Sequence, residues 1–444
     1  MIFPGIFGRR AVFDRIREVC DQRLVRKSRN PNPSRCAASV SRTLSAPDVV
    51  RKFALLLPLA AALSGCVASA AFMPSLPDSA HVQHFQGIPH ARFLTDAAGR
   101  PEWEREARAA WARRTAFLRS HGRVGWTETV LALSGGGQNG AFGAGVLAGW
   151  TAKGDRPEFD YVTGVSTGAL IAPFAFLGPA YDARLHELFT SIDEDSLIHK
   201  RWFGAALTDD SLYDTTPLFA KIKAAVDEEM IARIAREYRN GRLLLIATTN
   251  LVAARPVFWN IGAIADSGNP QAPTLIRKIL LASAAIPTLF PPVTMELESE
   301  DGVVRELHVD GGTTVGQFLY SPTLHLREGP RPQGASNRIL AYVIRNGRLH
   351  PKPKPVKLNA LDIAERAVIT LTSSQGLGDL YRDFELARRD RVEVKYTSIG
   401  DVFSEDEPDG SLFDRKYMNT LFEYGFKAGL SGSEWISTPP GFDK

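Results

Sequence analysis

Apolar runs six to ten residues long, each closed by glycine or a polar turn, punctuate this chain, and stretches with helical spacing separate them. Thr127–Ser134, Asp160–Val165, Arg242–Leu251, Arg255–Gly262, Arg305–Asp310, Arg338–Ile344 and Arg391–Ile399 predict strands. Helical patterns cover residues 101–118, 141–150, 169–178, 215–238, 273–285, 358–389 and 412–428. In the first of these, Trp103, Ala107, Trp111 and Leu118 fall near one face. Apolar strands alternating with helices predict an α/β domain, a mainly parallel sheet flanked by helices on both faces. Residues 67–100 hold Pro74, Pro77, Gly87 and Pro89 with little periodicity, and predict a linker or irregular arm. The expected organisation is a signal region over 1–65, a linker and helix over 66–126, a core over 127–325, and a C-terminal part of the same domain over 326–444, helical with added strands.

The N-terminal region reads differently from the rest. Arg51-Lys52 precede Phe53–Leu63, eleven residues without a charge, and Leu63-Ser64-Gly65-Cys66 follows. A basic start, a short apolar stretch and small residues predict a secretory signal peptide over 50–65. As a helix those eleven residues reach only about 16 Å, half a bilayer core, too short for a permanent span. The ending resembles the lipobox of bacterial lipoproteins. That resemblance implies diacylation of Cys66, a membrane contact through the lipid and, with Val67 next, anchoring in the outer membrane of a bacterial envelope, facing the periplasm. Residues 1–49 exceed what such a signal needs and are read as an untranslated extension.

The formal charge of +4 conceals an asymmetry. Residues 1–52 carry twelve Lys/Arg against four Asp/Glu, a net +8, which leaves −4 on the rest. The core therefore lacks the basic footprint of a nucleic-acid partner. The cysteines are Cys20, Cys36 and Cys66, so the segment beyond has no disulfide, thiolate nucleophile or cysteine zinc site.

Three motifs carry chemistry. Gly135-Gly136-Gly137-Gln138-Asn139-Gly140 follows the first core strand, where backbone N–H groups can converge on a negative charge at a helix N-terminus. The same residues satisfy a dinucleotide-binding spacing through Gly135, Gly137 and Gly140. That reading needs an acidic residue at the end of the next strand, which instead ends in Gly164-Val165-Ser166-Thr167-Gly168. This second motif predicts a nucleophile elbow, with small residues two positions either side of Ser166 so strand and helix can approach. The third is Asp310-Gly311-Gly312 at the end of an apolar strand. Alone it is an ordinary turn signal.

Together, in this order, and with residues 247–251, 255–265 and 282–293, the motifs resemble the patatin-like phospholipase family, densely over about residues 127–315. The resemblance implies a Ser166–Asp310 dyad, an oxyanion hole from the Gly135–Gly137 amides, and an acyl-enzyme cycle. It implies a phospholipid or other acyl-ester substrate and no cofactor or metal. Gly140, Gly164, Gly168, Gly311 and Gly312 would support the motifs. Where family members often carry a basic residue near the end of the glycine loop, this chain has Asn139, so no role for a cation carries over.

Two competing expectations remain. A conventional triad would draw on His186, His199, His308, His325 or His350, none in a convincing setting, and His308 shares a strand face with Asp310. A non-catalytic lipid-binding lipoprotein on the same fold would need neither Ser166 nor Asp310. Trp202-Phe203 and Leu289–Val293 are read as packing residues, with an acyl entrance as their alternative.

Overall fold

The computed structural model describes residues 85, 87–96, 98–201, 211–299, 302–326, 338–350, 352–408, 411–439 and 442, all within the unit Ala71–Lys444. In chain order these form β1 (Arg92–Leu94), α1 (Arg100–Ser120), β2 (Glu128–Leu133), α2 (Gly140–Lys153), β3 (Tyr161–Val165), α3 (Thr167–Leu177), α4 (Asp182–Thr190), α5 (Glu194–Leu197), β4 (His199–Lys200) and β5 (Tyr213–Asp214). There follow α6 (Thr216–Ala225), α7 (Glu228–Arg239), β6 (Leu243–Asn250), β7 (Arg255–Asn260), α8 (Ile261–Asp266), α9 (Ala272–Ser283), β8 (Val293–Ser299), β9 (Gly302–Asp310), β10 (Ile339–Arg348), α10 (Ala360–Asp390), β11 (Glu393–Ile399) and α11 (Arg415–Ser431).

The centre of the sheet is parallel, in the order β11-β10-β2-β3-β6. Both of its faces are covered, and side chains alternate between two cores. Leu131, Leu133, Leu244 and Ile246 enter one, with Phe142, Phe174 and Trp259. Val130, Ala132, Leu245 and Ala247 enter the other, with Phe258, Phe318 and Val343. Burial on both sides explains why these strands read as unbroken apolar runs. Antiparallel strands extend the far side: β7 on β6, β1 on β7, β9 on β6 and β8 on β9.

The C-terminal segment belongs to this sheet and its covering layer, since β10 and β11 are its members. Helix α11 meets α2 almost backbone to backbone. A Cβ on Gly145 would lie 2.2 Å from the Phe422 carbonyl oxygen, and one on Gly425 would lie 2.3 Å from that of Phe142. Glycines four apart on α2 (Gly145, Gly149) and on α11 (Gly425, Gly429) thus form matched small stripes.

Several elements depart from the sequence pattern. Within the expected irregular arm, β1 adds an edge strand to β7, and Phe85, Ile88 and Phe93 are buried. Three residues are too few to register as periodicity. The stretch 215–238 is two helices because Asp227 is extended and caps α7, accepting from the Met230 N–H at 2.9 Å. The expected strand over 255–262 ends at Asn260, which caps α8 by accepting from the Ala263 N–H. The buried face of α1 retains Trp103 and Leu118 but also takes Glu102, Glu106 and Arg114, whereas Ala107 and Trp111 are half-buried. Charge is tolerated there because it is paired: Arg114 Nε meets Asp160 Oδ1 at 2.7 Å and Arg113 meets Glu106 at 2.8 Å. A cavity of about 50 Å³ lies under α1, at the end of β2 and β3 remote from Ser166, and has room for a few waters.

Candidate active site

A change of partner along one strand creates the site. β6 pairs with β3 as far as Val165 opposite Ala247, and from the next residue it pairs with β9, Thr248 opposite Asp310. Ser166, which follows Val165, and Asp310, the last residue of β9, therefore meet at the point where β3 leaves and β9 arrives.

Ser166 is held in a conformation rarely adopted by a residue with a side chain, at φ 55° and ψ −126°. Such backbones cost about 1–3 kcal/mol and persist only when their surroundings enforce them. The enforcing contacts are identifiable. The Ser166 carbonyl accepts from the Ala169 N–H at 2.9 Å and starts α3. Its own N–H donates to Ser283 Oγ at 3.0 Å, and that hydroxyl donates to the Ala247 carbonyl at 2.7 Å. A Cβ on Gly164 would lie 2.6 Å from the Gly168 carbonyl oxygen, and one on Gly168 would lie 2.3 Å from that of Leu133. Neither site has room for a side chain.

The Ser166 hydroxyl donates to Asp310 Oδ2 at 2.6 Å. The other carboxylate oxygen, Oδ1, accepts from the Gly312 N–H at 2.7 Å. Burial pushes the Asp310 carboxyl up to about 7, against the opposing pull of the Ser166 and Gly312 hydrogen bonds. Gly311 lies against the sheet, where a Cβ would fall 2.6 Å from the Ala247 carbonyl oxygen.

The glycine loop abuts this pair: a Cβ on Gly135 would lie 3.0 Å from the Cβ of Ser166. One expectation is corrected. The Gly135 N–H is not free to hold an oxyanion, because it donates to the Gly316 carbonyl at 3.1 Å. Among the described residues, the N–H groups of Gly136 and Gly137 have no such acceptor. Gly137 takes φ 56° as the chain turns into the short helical turn before α2. Gly140 fits against Thr167, whose Oγ1 would be 2.2 Å from an added Cβ.

Sequence reasoning missed the residue that fixes this loop. Asn346, 1% exposed near the end of β10, donates through Nδ2 to the Ser134 carbonyl at 2.8 Å and accepts the Gly143 N–H at 3.0 Å. Its N–H donates to Ser134 Oγ at 2.8 Å. The only signal is a lone amide closing an apolar strand. Gln138 and Asn139 face the C-terminal segment. Gln138 accepts the Asp414 N–H at 3.0 Å, while Asn139 donates to Glu407 and accepts from the Tyr417 hydroxyl at 2.8 Å. Asn139 thus ties down a neighbouring segment in the place where a cation was considered.

Of the histidines considered, His308 is fully buried but bonds to Glu306 at 2.9 Å and Thr248 at 2.8 Å. His186 lies edge-on to Phe422, His199 and His350 are exposed, and His325 is half-buried in the turn after Ser321. No hydrogen bond joins any of them to Ser166 or Asp310. Leu289 and Phe290 are buried, whereas Pro291–Val293 are half-buried. Cys66, Trp202 and Phe203 lie outside the described residues. No described helix is long and apolar enough to cross a membrane.

The fold and this site define an α/β protein with a strained serine at a strand-to-helix turn, facing a buried carboxylate. Residues 131–322 match the family model for patatin-like phospholipase, and the chain carries a patatin-like phospholipase domain. The family implies lipid or acyl-ester substrates and a lipid acyl hydrolase activity in general. Among solved structures, the chain is similar to VipD from Legionella pneumophila, at 13% identity, covering 70% of this chain and 68% of that one with a TM-score of 0.33. No curated protein matches the chain.

Proposed function

We propose that this protein hydrolyses lipid acyl esters through Ser166 as nucleophile and Asp310 as general base. The observation that carries the reading is the 2.6 Å hydrogen bond from Ser166 Oγ to Asp310 Oδ2. A serine hydroxyl needs a neighbouring base to attack. A carboxyl raised to about 7 by burial suits proton exchange near neutrality.

In the proposed cycle, Asp310 takes the hydroxyl proton as Ser166 Oγ bonds to the ester carbonyl carbon. The Gly136 and Gly137 amides receive the oxyanion. The carbon–oxygen bond to the alcohol or lysophospholipid breaks, and Asp310 returns the proton to that leaving oxygen. Asp310 then removes a proton from water, which attacks the acyl-enzyme, and Ser166 regains its proton as the carboxylic acid departs. A positioned base contributes about 10²–10⁴-fold, and each oxyanion donor contributes about 3–4 kcal/mol.

The test uses a fluorophosphonate probe and p-nitrophenyl esters. Wild type should label and turn over. Ser166→Ala should do neither, and Asp310→Asn should lose at least about 10²-fold in kcat. Esterase activity that survives Ser166→Ala would end this reading.

We also propose that Cys66 is lipidated and tethers the domain to a bacterial envelope membrane, on the strength of Leu63-Ser64-Gly65-Cys66 after an uncharged run. Metabolic labelling with an alkynyl fatty acid should mark the wild type and not Cys66→Ala. Equal labelling of both would refute it.

A further inference from the structure

The segment after Asp310-Gly311-Gly312 runs between α10 and the glycine loop, and three aspartates on α10 grip it. Asp379 Oδ2 accepts the Gly316 N–H at 2.5 Å. Asp383 accepts the Leu319 N–H at 3.4 Å and Gln317 Nε2 at 3.5 Å, and Asp390 accepts the Tyr320 hydroxyl at 2.8 Å. Only the first contact continues towards the site. Gly316, whose N–H donates to Asp379, accepts the Gly135 N–H through its carbonyl at 3.1 Å, and Gly135 lies against Ser166.

Asp379 is itself firmly held. It is 1% exposed, and its Oδ1 receives Gln375 Nε2 at 3.0 Å and an Arg382 guanidinium nitrogen at 2.9 Å. Gly316 approaches α10 so closely that a Cβ would lie 2.7 Å from the Cα of Gly376. The segment therefore has no slack to turn its peptide planes independently of the helix.

We propose that Asp379 is a positioning residue for the oxyanion loop: by holding the backbone at Gly316 it anchors the Gly135 N–H, which turns the next two amides, of Gly136 and Gly137, towards the carbonyl under attack. The inference rests on the hydrolase reading above and assigns Gly135 a different part in it, as the anchor of the loop. A carboxylate 213 positions from Ser166 thereby acts on the reaction through two consecutive hydrogen bonds and no contact with substrate.

The experiment is Asp379→Asn in the full chain, with Asp383→Asn as the matched change one helical turn away. In Asp379→Asn the amide oxygen is claimed by Arg382, and an NH₂ group faces the Gly316 N–H. We expect kcat for p-nitrophenyl octanoate to fall about 10- to 100-fold with KM within about twofold, as for a misaligned transition-state donor. Affinity for a trifluoromethyl ketone, which forms a tetrahedral oxyanion on Ser166, should fall in proportion, while the apparent pKa near 7 of the rate stays in place. Asp383→Asn should leave kcat within about twofold, because no hydrogen bond links its partners to Gly135.

A folded Asp379→Asn protein with unchanged kcat and ketone affinity overturns the inference, as does an equal loss in Asp383→Asn. If Asp379→Asn does not fold, Gln375→Ala, which keeps the carboxylate but removes one of its clamps, must show the same kcat-selective loss to a smaller degree. Intact kcat there overturns the inference equally. An inactive wild type would instead refute the hydrolase reading, so the two failures are distinguishable.

Discussion

Ser283 holds Ser166 by its backbone: the Ser166 N–H donates to Ser283 Oγ at 3.0 Å, and the same hydroxyl donates to the Ala247 carbonyl at 2.7 Å. Ser283 is fully buried at the end of α9, so no solvent can replace it. Ser283→Ala leaves a buried donor and a buried acceptor unpaired, each worth about 1–3 kcal/mol. Denaturant unfolding should show a loss of about 2–4 kcal/mol, and kcat should fall with it as the elbow relaxes. An unchanged midpoint would mean that the elbow does not depend on this hydroxyl.

In the proposed dyad, Asp310 sets the pH dependence. As a base it must be ionised, so kcat/KM should rise with pH through about 7. The stability effect has the opposite sign. The folded carboxyl titrates above its unfolded value of 3.8, so its contribution is fully present below that pH and is lost as pH rises through about 7. A rate profile already flat from pH 5 to 8 would contradict this environment for Asp310.

Relieving the backbone at the elbow should stabilise the protein at the expense of the nucleophile. Both Ser166→Ala and Ser166→Gly remove the hydroxyl, but only glycine tolerates φ 55° and ψ −126° without strain. We expect the glycine variant to be the more stable of the two by about 1 kcal/mol or more. Differential scanning calorimetry that ranks alanine above glycine would show that the turn is not strained.

Asn346→Ala removes the acceptor of the Gly143 N–H and the donor to the Ser134 carbonyl. The expected loss is about 2–4 kcal/mol in thermal or chemical unfolding. A smaller loss, under about 0.5 kcal/mol, would mean that the glycine loop holds its shape without β10.

Asp383 is pushed up to about 7 by burial, with Asp379 adding to the shift and Arg382 opposing it. Below its unfolded value of 3.8 the carboxyl is neutral in both states, and as pH rises through about 7 the folded state bears the cost of ionising it. Asp383→Asn should therefore gain stability on wild type between pH 4 and 8, with the gap closing at the acid end. A variant less stable at pH 8 than at pH 4, relative to wild type, would show that the charge is favourable where it lies.

The parts of this site visible in the sequence are those enforced by local sterics. Gly164 and Gly168 flank Ser166 because strand and helix cannot approach otherwise, and that requirement sits within five residues. Asp310 was legible through its place at the end of an apolar strand and the glycines beyond. Ser283, Asn346 and Asp379 were not, since each acts on a backbone group 117 to 212 positions distant or on a loop across α10, and a single polar residue in an apolar element has many uses. The occupied Gly135 amide was hidden for the same reason: its acceptor, Gly316, lies 181 positions on. The edge strand β1 escaped because three residues carry no period, and the buried charges of α1 because their partners lie on other elements.

The change of partner on β6 has a consequence for variation in this architecture. The gap between hydroxyl and carboxyl is set by two adjacent residues of one strand, Ala247 and Thr248, whatever the length of chain joining the two halves. Segments hung between Ser166 and Asp310, the β4–β5 ribbon among them, can lengthen, shrink or be exchanged so long as both strand registers and the Ser283 contact survive. What such a protein acts upon can therefore drift without disturbing how it acts.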